Sequence, residues 1–296
     1  MLKIPTHIGI LAHPLRPQTA PVAEQIAQRL QARGIETWLY TSWAESDVQA
    51  AVEKADIVVA IGGDGAMLRA ARVCAPFDVP VLGVNMGQLG FLTEISGPDN
   101  CEPYFDRLLA GDYWIESRMM VRALVTRDGE QEASADALND VVISRKVVTS
   151  TIRLEMYIDQ DWATTYNADA LIIATPTGST AYALATGGPI LPPELLNILV
   201  VPVAPHLSMD RPIVLSQGAV VDVIPIPNGR AEVVVSVDGR LLWELQEGDR
   251  VRVQASEHVS RFVRMRSRNY FYRSLLDRLE PRIPVPSRPT WDERSS

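Results

Sequence analysis

Cysteine is almost missing from this chain. Among 296 residues only Cys74 and Cys101 occur, with no CxxC spacing and no histidines gathered around either, which speaks against a disulfide framework and a structural zinc site. Histidine is equally sparse: His7, His13, His206 and His258 are scattered along the sequence, a pattern that disfavours a histidine-built metal centre. Positive charge is in deficit, with 28 Lys and Arg against 36 Asp and Glu and a formal net charge of −8. A general nucleic-acid or membrane-surface binder carries the opposite balance. Long apolar runs are missing too. The best candidate, Leu195 to Ala204, is interrupted by Asn197 and Pro202 and falls short of the roughly 20 residues a membrane span needs. Residues 1–7 enter a strand-like segment directly and lack a signal-peptide pattern, so the cytoplasm is the expected location. What is present is a 47% hydrophobic, 22% charged chain, long enough for one large or two medium domains.

The first hundred residues alternate strand and helix. Apolar strands are expected at 7–12, 35–40, 57–61 and 79–84, with helices over 19–33 (Val22, Ile26 and Leu30 at helical spacing), from about Asp47, and over 67–74. Continuous apolar strands in this order predict a parallel, Rossmann-like sheet covered by helices, with ligands at the carboxyl ends of the strands. Beyond a helix at 102–110 the pattern changes to short alternating strands separated by turn signals such as Asp128-Gly129: 119–126, 141–144, 153–158, 162–166, 171–174, 198–203, 220–226, 232–237, 241–245 and 250–255. The expected organisation is therefore an α/β domain over 1–100, a β-rich, mostly antiparallel domain over 101–256, a C-terminal segment over 257–280 and a loosely ordered, proline-containing tail over 281–296. Residues 261–279 are basic and aromatic, with Tyr272, Leu275, Leu276 and Leu279 at helical spacing.

Three stretches suggest chemistry. The run Leu171 to Ala174 breaks at Pro176 into Thr175-Pro176-Thr177-Gly178-Ser179-Thr180-Ala181-Tyr182, with Gly187-Gly188 beyond. Hydroxyls, glycine-freed N–H groups and a flat ring suit a sugar-phosphate and a base, although a polar loop with Ser179 or Thr180 as an N-cap has the same composition. Gly62-Gly63-Asp64-Gly65 leaves a buried strand and enters a helix, so its backbone can approach phosphate closely. An acid among those glycines would repel an anion unless it takes a proton or holds magnesium, which makes Asp64 a candidate base for phosphoryl transfer and Arg69 a candidate phosphate partner. The alternative is a tight turn with Asp64 at a helix N-terminus. Asn139-Asp140 can receive vicinal ribose hydroxyls or form an ordinary turn. Phe91 can flank a base or fill a core, Tyr182 can stack on a purine or pack inward, and Asp169 can meet a ligand amide or solvent. The His206, Ser208, Asp210 and Arg211 loop lacks a nucleophile elbow, so a hydrolase reading is weak. Ser236 to Arg240 reads as a hairpin turn, useful to a ligand only where Asp238 points into a cleft.

Taken in order, these segments resemble the NAD kinase family: Gly62 to Gly65 is similar to its GGDG motif, Asn85 to Thr93 to its NxGxLGFLT segment, Asn139-Asp140 to its Asn-acid pair, and Asp169 to Gly188 to its TPTGSTAY signature. Pro205 to Leu215 and Ser236 to Gly239 resemble further elements of the family. GGDG by itself is shared with phosphofructokinases and lipid kinases; the TPTGSTAY stretch is the specific part. The resemblance implies an α/β domain and a β-rich domain, with the C-terminal segment returning to the first. It also implies phosphorylation of the adenosine-ribose 2′-hydroxyl of NAD by ATP or polyphosphate with Mg2+ or another divalent cation, in a homodimer or homotetramer that binds neither nucleic acid nor membrane. Asp64 would be the base and Gly62 and Gly63 the phosphate loop. Gly65, Arg69, Phe91, Asn139, Asp140, Asn167, Asp169, Thr180, Ala181, Tyr182 and Ala185 would contact NAD, and the ion would be held mainly by the phosphate donor. Ala66, Ala170, Ala185 and Arg240 depart from the usual Thr, Gly, Ser and Gln. The readings competing with an NAD kinase are a lipid or sugar kinase carrying GGDG and a non-catalytic dinucleotide sensor.

Overall fold

The computed structural model describes residues 4–41, 45–87, 90–147, 151–227, 232–272 and 275, with backbone alone for 45–47. It divides into two compact units, 1–265 and 266–296. In the first, strands and helices alternate at the start: β1 (His7–Leu11), α1 (Thr19–Gln31), β2 (Glu36–Tyr40), α2 (Glu45–Val52), β3 (Ile57–Ile61), α3 (Asp64–Cys74), β4 (Val81–Asn85), β5 (Ile95–Ser96) and α4 (Cys101–Leu109). Strands then dominate: β6 (Trp114–Arg127), β7 (Glu130–Ala137), β8 (Asp140–Arg145), β9 (Ile152–Ile158), β10 (Asp161–Ala168) and β11 (Ala170–Ala174), followed by a helical turn over Gly178–Thr180 and the one-turn α5 (Tyr182–Ala185). They close with β12 (Asn197–Val203), β13 (Ile213–Ser216), β14 (Val221–Ile226), β15 (Val233–Val237), β16 (Arg240–Leu245) and β17 (Arg250–Arg264).

The apolar periodicity explains the layering. Every residue of β3 and β4 is buried, because helices cover both faces of this parallel region. Ile26, Leu30, Phe105 and Leu108 pack on one face with Ile10, Val59 and Ile61. Met67, Ala70, Ala71 and Cys74 of α3 pack on the other with Val58 and Ala60. In β11 the alternation is strict: Leu171 and Ile173 face the core between two sheets, while Ala170, Ile172 and Ala174 face a layer with Ala183 and Leu191. Each large apolar side chain of this kind contributes about 1.5–3 kcal/mol when fully buried.

One sheet runs β10-β9-β14-β17-β4-β3-β1-β2, with β5 on β4, β6 on β17 and β7 on β6; the other runs β13-β12-β11-β8-β15-β16. Strands β1 to β5 pair in parallel, and the second sheet is antiparallel throughout. The α/β start and the antiparallel β-rich remainder are thus as expected. Strand β17 joins the two regimes. It is antiparallel to β14 and β6, then parallel to β4 at Phe262 opposite Val81.

Several boundaries differ from the sequence reading. Helix α3 opens at Asp64 and not at Met67, so the acid sits in its first turn. Strands β7 and β13 were not anticipated, and β17 continues to Arg264 past the expected end at 255, through a register shift between Ala255 and Val259. Residues 261–264, expected at the start of a basic, aromatic C-terminal segment, are therefore strand. Residues 270–272 and 275 are helical as the spacing suggested; Leu276, Leu279 and the tail from 281 lie outside the described residues.

Candidate active site

Gly62 leaves β3 with a φ of 148°, a conformation that favours glycine, and Gly63 caps α3 in an extended conformation. Ala66 is buried, its methyl under the Gly62 turn. Asp64 then projects from the first turn of α3 towards the segment after β4. Its Oδ2 accepts the Phe91 N–H at 2.9 Å and its Oδ1 the Leu92 N–H at 3.0 Å. A side chain at Gly90 would collide with the Asp64 carboxylate. The loop is held in turn by Thr93, whose hydroxyl accepts the Gly90 N–H at 2.9 Å, and by Asn85, whose side-chain carbonyl oxygen accepts the Gly87 N–H at 3.0 Å. Phe91 therefore reaches the site through its backbone, and Gln88 and Leu89 lie outside the described residues. Gly65 is exposed and Arg69 half-buried, one helical turn along.

A second acidic centre lies in the antiparallel sheet. Asp140 begins β8, and Asp238 begins the two-residue turn between β15 and β16 with Asp238 and Gly239 both at positive φ. The Asp238 carboxylate accepts the N–H groups of Leu138, Asn139 and Asp140 at 3.0, 2.8 and 3.2 Å. Arg72 of α3 stands 3.9 Å from it, linking the Asp64 helix to this wall. Burial, and then the neighbouring Asp238 charge, push the Asp140 carboxyl up to about 7. Asp238 is also raised by burial, with the three N–H donors and Arg72 opposing the rise. A cavity of about 430 Å³ is lined by Asn139, Asp140, Val142, Ser144, Ala181, Tyr182, Ser236, Asp238 and Gly239.

The hydroxyl-rich turn mostly ties itself together. The Thr175 hydroxyl donates to the Leu138 carbonyl at 2.5 Å and accepts the Gly178 N–H at 3.1 Å. Ser179 donates to the Pro176 carbonyl at 2.7 Å and accepts the Leu191 N–H at 2.9 Å. Thr180 donates to the Thr177 carbonyl at 3.1 Å. Gly178 lies against the Asn139 carbonyl with no room for a Cβ. The turn thus leaves Tyr182 45% exposed and packs closely on Asn139. Ala185 is exposed at the end of α5.

Asn167 and Asp169 sit around the β10–β11 corner. Asp169 meets Arg145 at 2.7 Å, so the partner it requires is a side chain of β8, where the sequence suggested ligand amide or solvent. Asn167 donates its N–H to Ser208 and accepts the His206 N–H at its carbonyl, while its buried Oδ1 meets no hydrogen-bond donor among the described residues. His206, Leu207 and Asp210 are exposed and Asp210 pairs with Arg211; this loop supports β10 and assembles no catalytic triad.

Residues 8–113 match the ATP-NAD kinase N-terminal domain and residues 138–265 the ATP-NAD kinase C-terminal domain. An NAD kinase of Chloroflexus aurantiacus is 40% identical over 272 residues, covering 92% of this chain and 98% of that one. The chain belongs to the NAD kinase family. An NAD kinase of Geotalea daltonii is 38% identical, with 89% and 95% of the two chains covered. Two solved structures share the NAD kinase fold. Yeast NADH kinase complexed with NADH superposes with a TM-score of 0.82 at 23% identity, over 94% of this chain and 88% of that one. An NAD kinase from Archaeoglobus fulgidus in complex with ATP gives 0.71 at 24%, over 92% and 97%.

Three residues near these motifs escaped the sequence reading. His13 follows β1 at the same sheet edge as the glycine loop, beside Gly62. Its Nδ1 accepts the Leu15 N–H at 3.1 Å; burial and then the Arg16 and Arg69 charges keep its pKa low. The rule that ligands gather at strand carboxyl ends would have singled it out. Arg72 and Arg118 gave no signal, because Asp238 and Thr177, which tie them to these motifs, are distant in the chain.

Proposed function

We propose that this protein transfers a phosphoryl group from ATP or polyphosphate to the 2′-hydroxyl of the adenosine ribose of NAD, giving NADP. The observation that carries this reading is the linkage of two acidic centres through α3: Asp64 lies in its first turn, and Arg72 of the same helix stands 3.9 Å from Asp238, the neighbour of Asp140. In this reading residues 1–100 supply the phosphate loop, Gly62 and Gly63 with Arg69, and residues 101–256 supply the dinucleotide wall. Asn139 and Asp140 receive ribose hydroxyls. Thr180, Ala181, Tyr182 and Ala185 border the adenine, with Gly65 and Phe91 along the dinucleotide and Asn167 and Asp169 towards the nicotinamide.

Asp64 keeps lone pairs beyond the two that its N–H donors occupy, and one of these accepts the proton of the attacking hydroxyl. The ribose oxygen forms a bond to the terminal phosphorus, the bond from phosphorus to the leaving oxygen breaks, and the shortened donor departs with that electron pair. Among the described residues no group of three His, Cys, Asp or Glu is placed to hold a metal. In this reading a magnesium ion is bound chiefly through the donor's phosphates. When bound, such an ion neutralises charge on the transferring group. The expected setting is a cytoplasmic homodimer or homotetramer.

The test is NADP formation from NAD and magnesium with ATP and polyphosphate run in parallel. Asp64→Asn should lower kcat by about 10²- to 10⁴-fold, the contribution of a positioned base, while calorimetric NAD binding stays within a few-fold of wild type. Near-normal turnover in that variant would sink the assignment of the base, and NAD binding with no transfer from either donor would leave a dinucleotide sensor.

A further inference from the structure

Leu92, whose N–H holds Asp64, is itself held from behind. Its carbonyl accepts Arg264 Nη1 at 2.7 Å, so the same residue donates to the Asp64 carboxylate and accepts from a buried guanidinium. Arg264 also reaches Glu116 Oε2 through Nε at 2.8 Å and Glu94 at 3.5 Å. Glu94 in turn accepts the Met265 N–H at 2.9 Å. The same Glu116 oxygen accepts Arg118 Nη2 at 3.0 Å, and Arg118 Nη1 donates to the Thr177 hydroxyl at 3.0 Å. The Thr177 carbonyl accepts the hydroxyl of Thr180. A continuous polar chain thus runs from Asp64 through Leu92, Arg264, Glu116 and Arg118 to the turn that presents Ala181 and Tyr182.

The energetics separate this chain from ordinary core packing. Side chains of Arg264 and Glu94 are fully buried, and those of Arg118 and Glu116 are 4% and 11% exposed. Burial would raise the Glu116 carboxyl, but Arg264 and Arg118 outweigh it and hold it below its ordinary value. Burying two such ion pairs yields little net stability over well-packed apolar side chains, because desolvation cancels most of the attraction. What charge-assisted hydrogen bonds supply in that setting is directional precision. Here that precision is applied between the two walls of the proposed site.

We infer that Arg264, Glu116 and Arg118 form a buried strut that sets the position of the Asp64 carboxylate relative to the Thr177–Tyr182 wall, acting as positioning residues for phosphoryl transfer. The inference rests on the functional reading above. Its two ends have separable effects: the Arg264 end orients the base through Leu92, and the Arg118 end places the dinucleotide wall.

Thr177→Val removes the hydroxyl that Arg118 grips while keeping the side chain's shape. It should raise the KM for NAD severalfold with kcat near wild type. Glu116→Gln keeps an acceptor oxygen but loses the charge shared by both arginines. It should lower kcat by about tenfold, the rate equivalent of one charge-assisted hydrogen bond. Arg118→Lys, which keeps a donor for Thr177, should restore most of the KM lost in Arg118→Met. Folded Glu116→Gln and Thr177→Val proteins with wild-type kcat and KM overturn the strut, as does an Arg118→Lys variant no better than Arg118→Met. If Glu116→Gln does not fold, the Thr177 and Arg118 variants decide by the same criteria. Wild-type protein that makes no NADP overturns the functional reading instead. The strut is then judged by hydrogen exchange of the Phe91 and Leu92 amides, which Glu116→Gln accelerates if the strut holds them and leaves unchanged if it does not.

Discussion

Asp140 and Asp238 carry the clearest pH signature at the level of single residues. The Asp140 carboxyl is raised to about 7 in the folded protein, against about 3.9 in an unfolded chain. The folded state therefore binds the extra proton, and this contribution to stability is present at low pH and lost as pH rises through about 7. The urea midpoint should accordingly fall between about pH 5 and about pH 8 by more in wild type than in Asp140→Asn. NAD binding should run the other way, because the ionised carboxylate is the better acceptor for ribose hydroxyls. Calorimetry should find affinity rising through about pH 7. Asp238→Asn should move that midpoint down only part of the way, since burial is the larger cause of the rise and the Asp238 charge the smaller. A midpoint unmoved in Asp238→Asn would show that the two carboxyls do not interact.

Asp64 illustrates how much of a single residue's role is readable in sequence. Its placement followed from Gly-Gly-Asp-Gly after an apolar run. The grip on both its oxygens did not, because the Phe91 and Leu92 donors arrive from another strand exit. That grip bears on Asp64→Asn: one side of the new amide presents N–H to N–H, so NAD binding must be measured beside turnover to separate lost chemistry from a displaced loop.

Among the elements, the turn after β11 was read as ligand-facing on the strength of its hydroxyls, a ground the structure supports only in part. Its hydroxyls suggested direct contacts, yet Thr175 and Ser179 are buried and bonded to the chain itself. Composition cannot tell a hydroxyl that meets a ligand from one that closes a turn. The test of the turn's structural role is Gly178→Ala. The added methyl has no space beside the Asn139 carbonyl, and such overpacking typically costs about 1–3 kcal/mol. Gly178→Ala should lower Tm and weaken NAD binding, whereas Gly218→Ala, with open space around it, should change Tm little. Equal Tm values for the two variants would refute the close approach. Strand β11 was read correctly because it is buried on both faces, and β7 was missed because the alternating residues of its sequence, EQEASADA, are alanines, which are small and weak strand formers. The end of β17 was missed because Ser256, Glu257 and His258 occupy the register shift. A bulge interrupts the period of two on which strand reading depends.

At the scale of the molecule, the change from parallel to antiparallel pairing was legible, and the single sheet that contains both was not. Pairing between β17 and β4 joins residues far apart in the chain, and no local pattern encodes a partner. The junction predicts cooperative unfolding. Single-tryptophan variants retaining Trp38, which packs against the α/β core, or Trp243, which packs against the β-rich core, should give coincident urea transitions, matching far-UV circular dichroism. Transitions that separate would mean the sheet parts at the β17–β4 seam.

That seam also orders events during synthesis. Val81 of β4 is made early and Phe262 of β17 late, and a pairing cannot form before both strands exist. The half of the protein bearing Asp64 therefore waits, with one flank of β4 unpaired by β17, until nearly all of this chain has left the ribosome. An unpaired strand edge is a site for mispairing, so the stretch of β4 around Val81, which β5 does not cover, stays open to wrong partners until β17 is made.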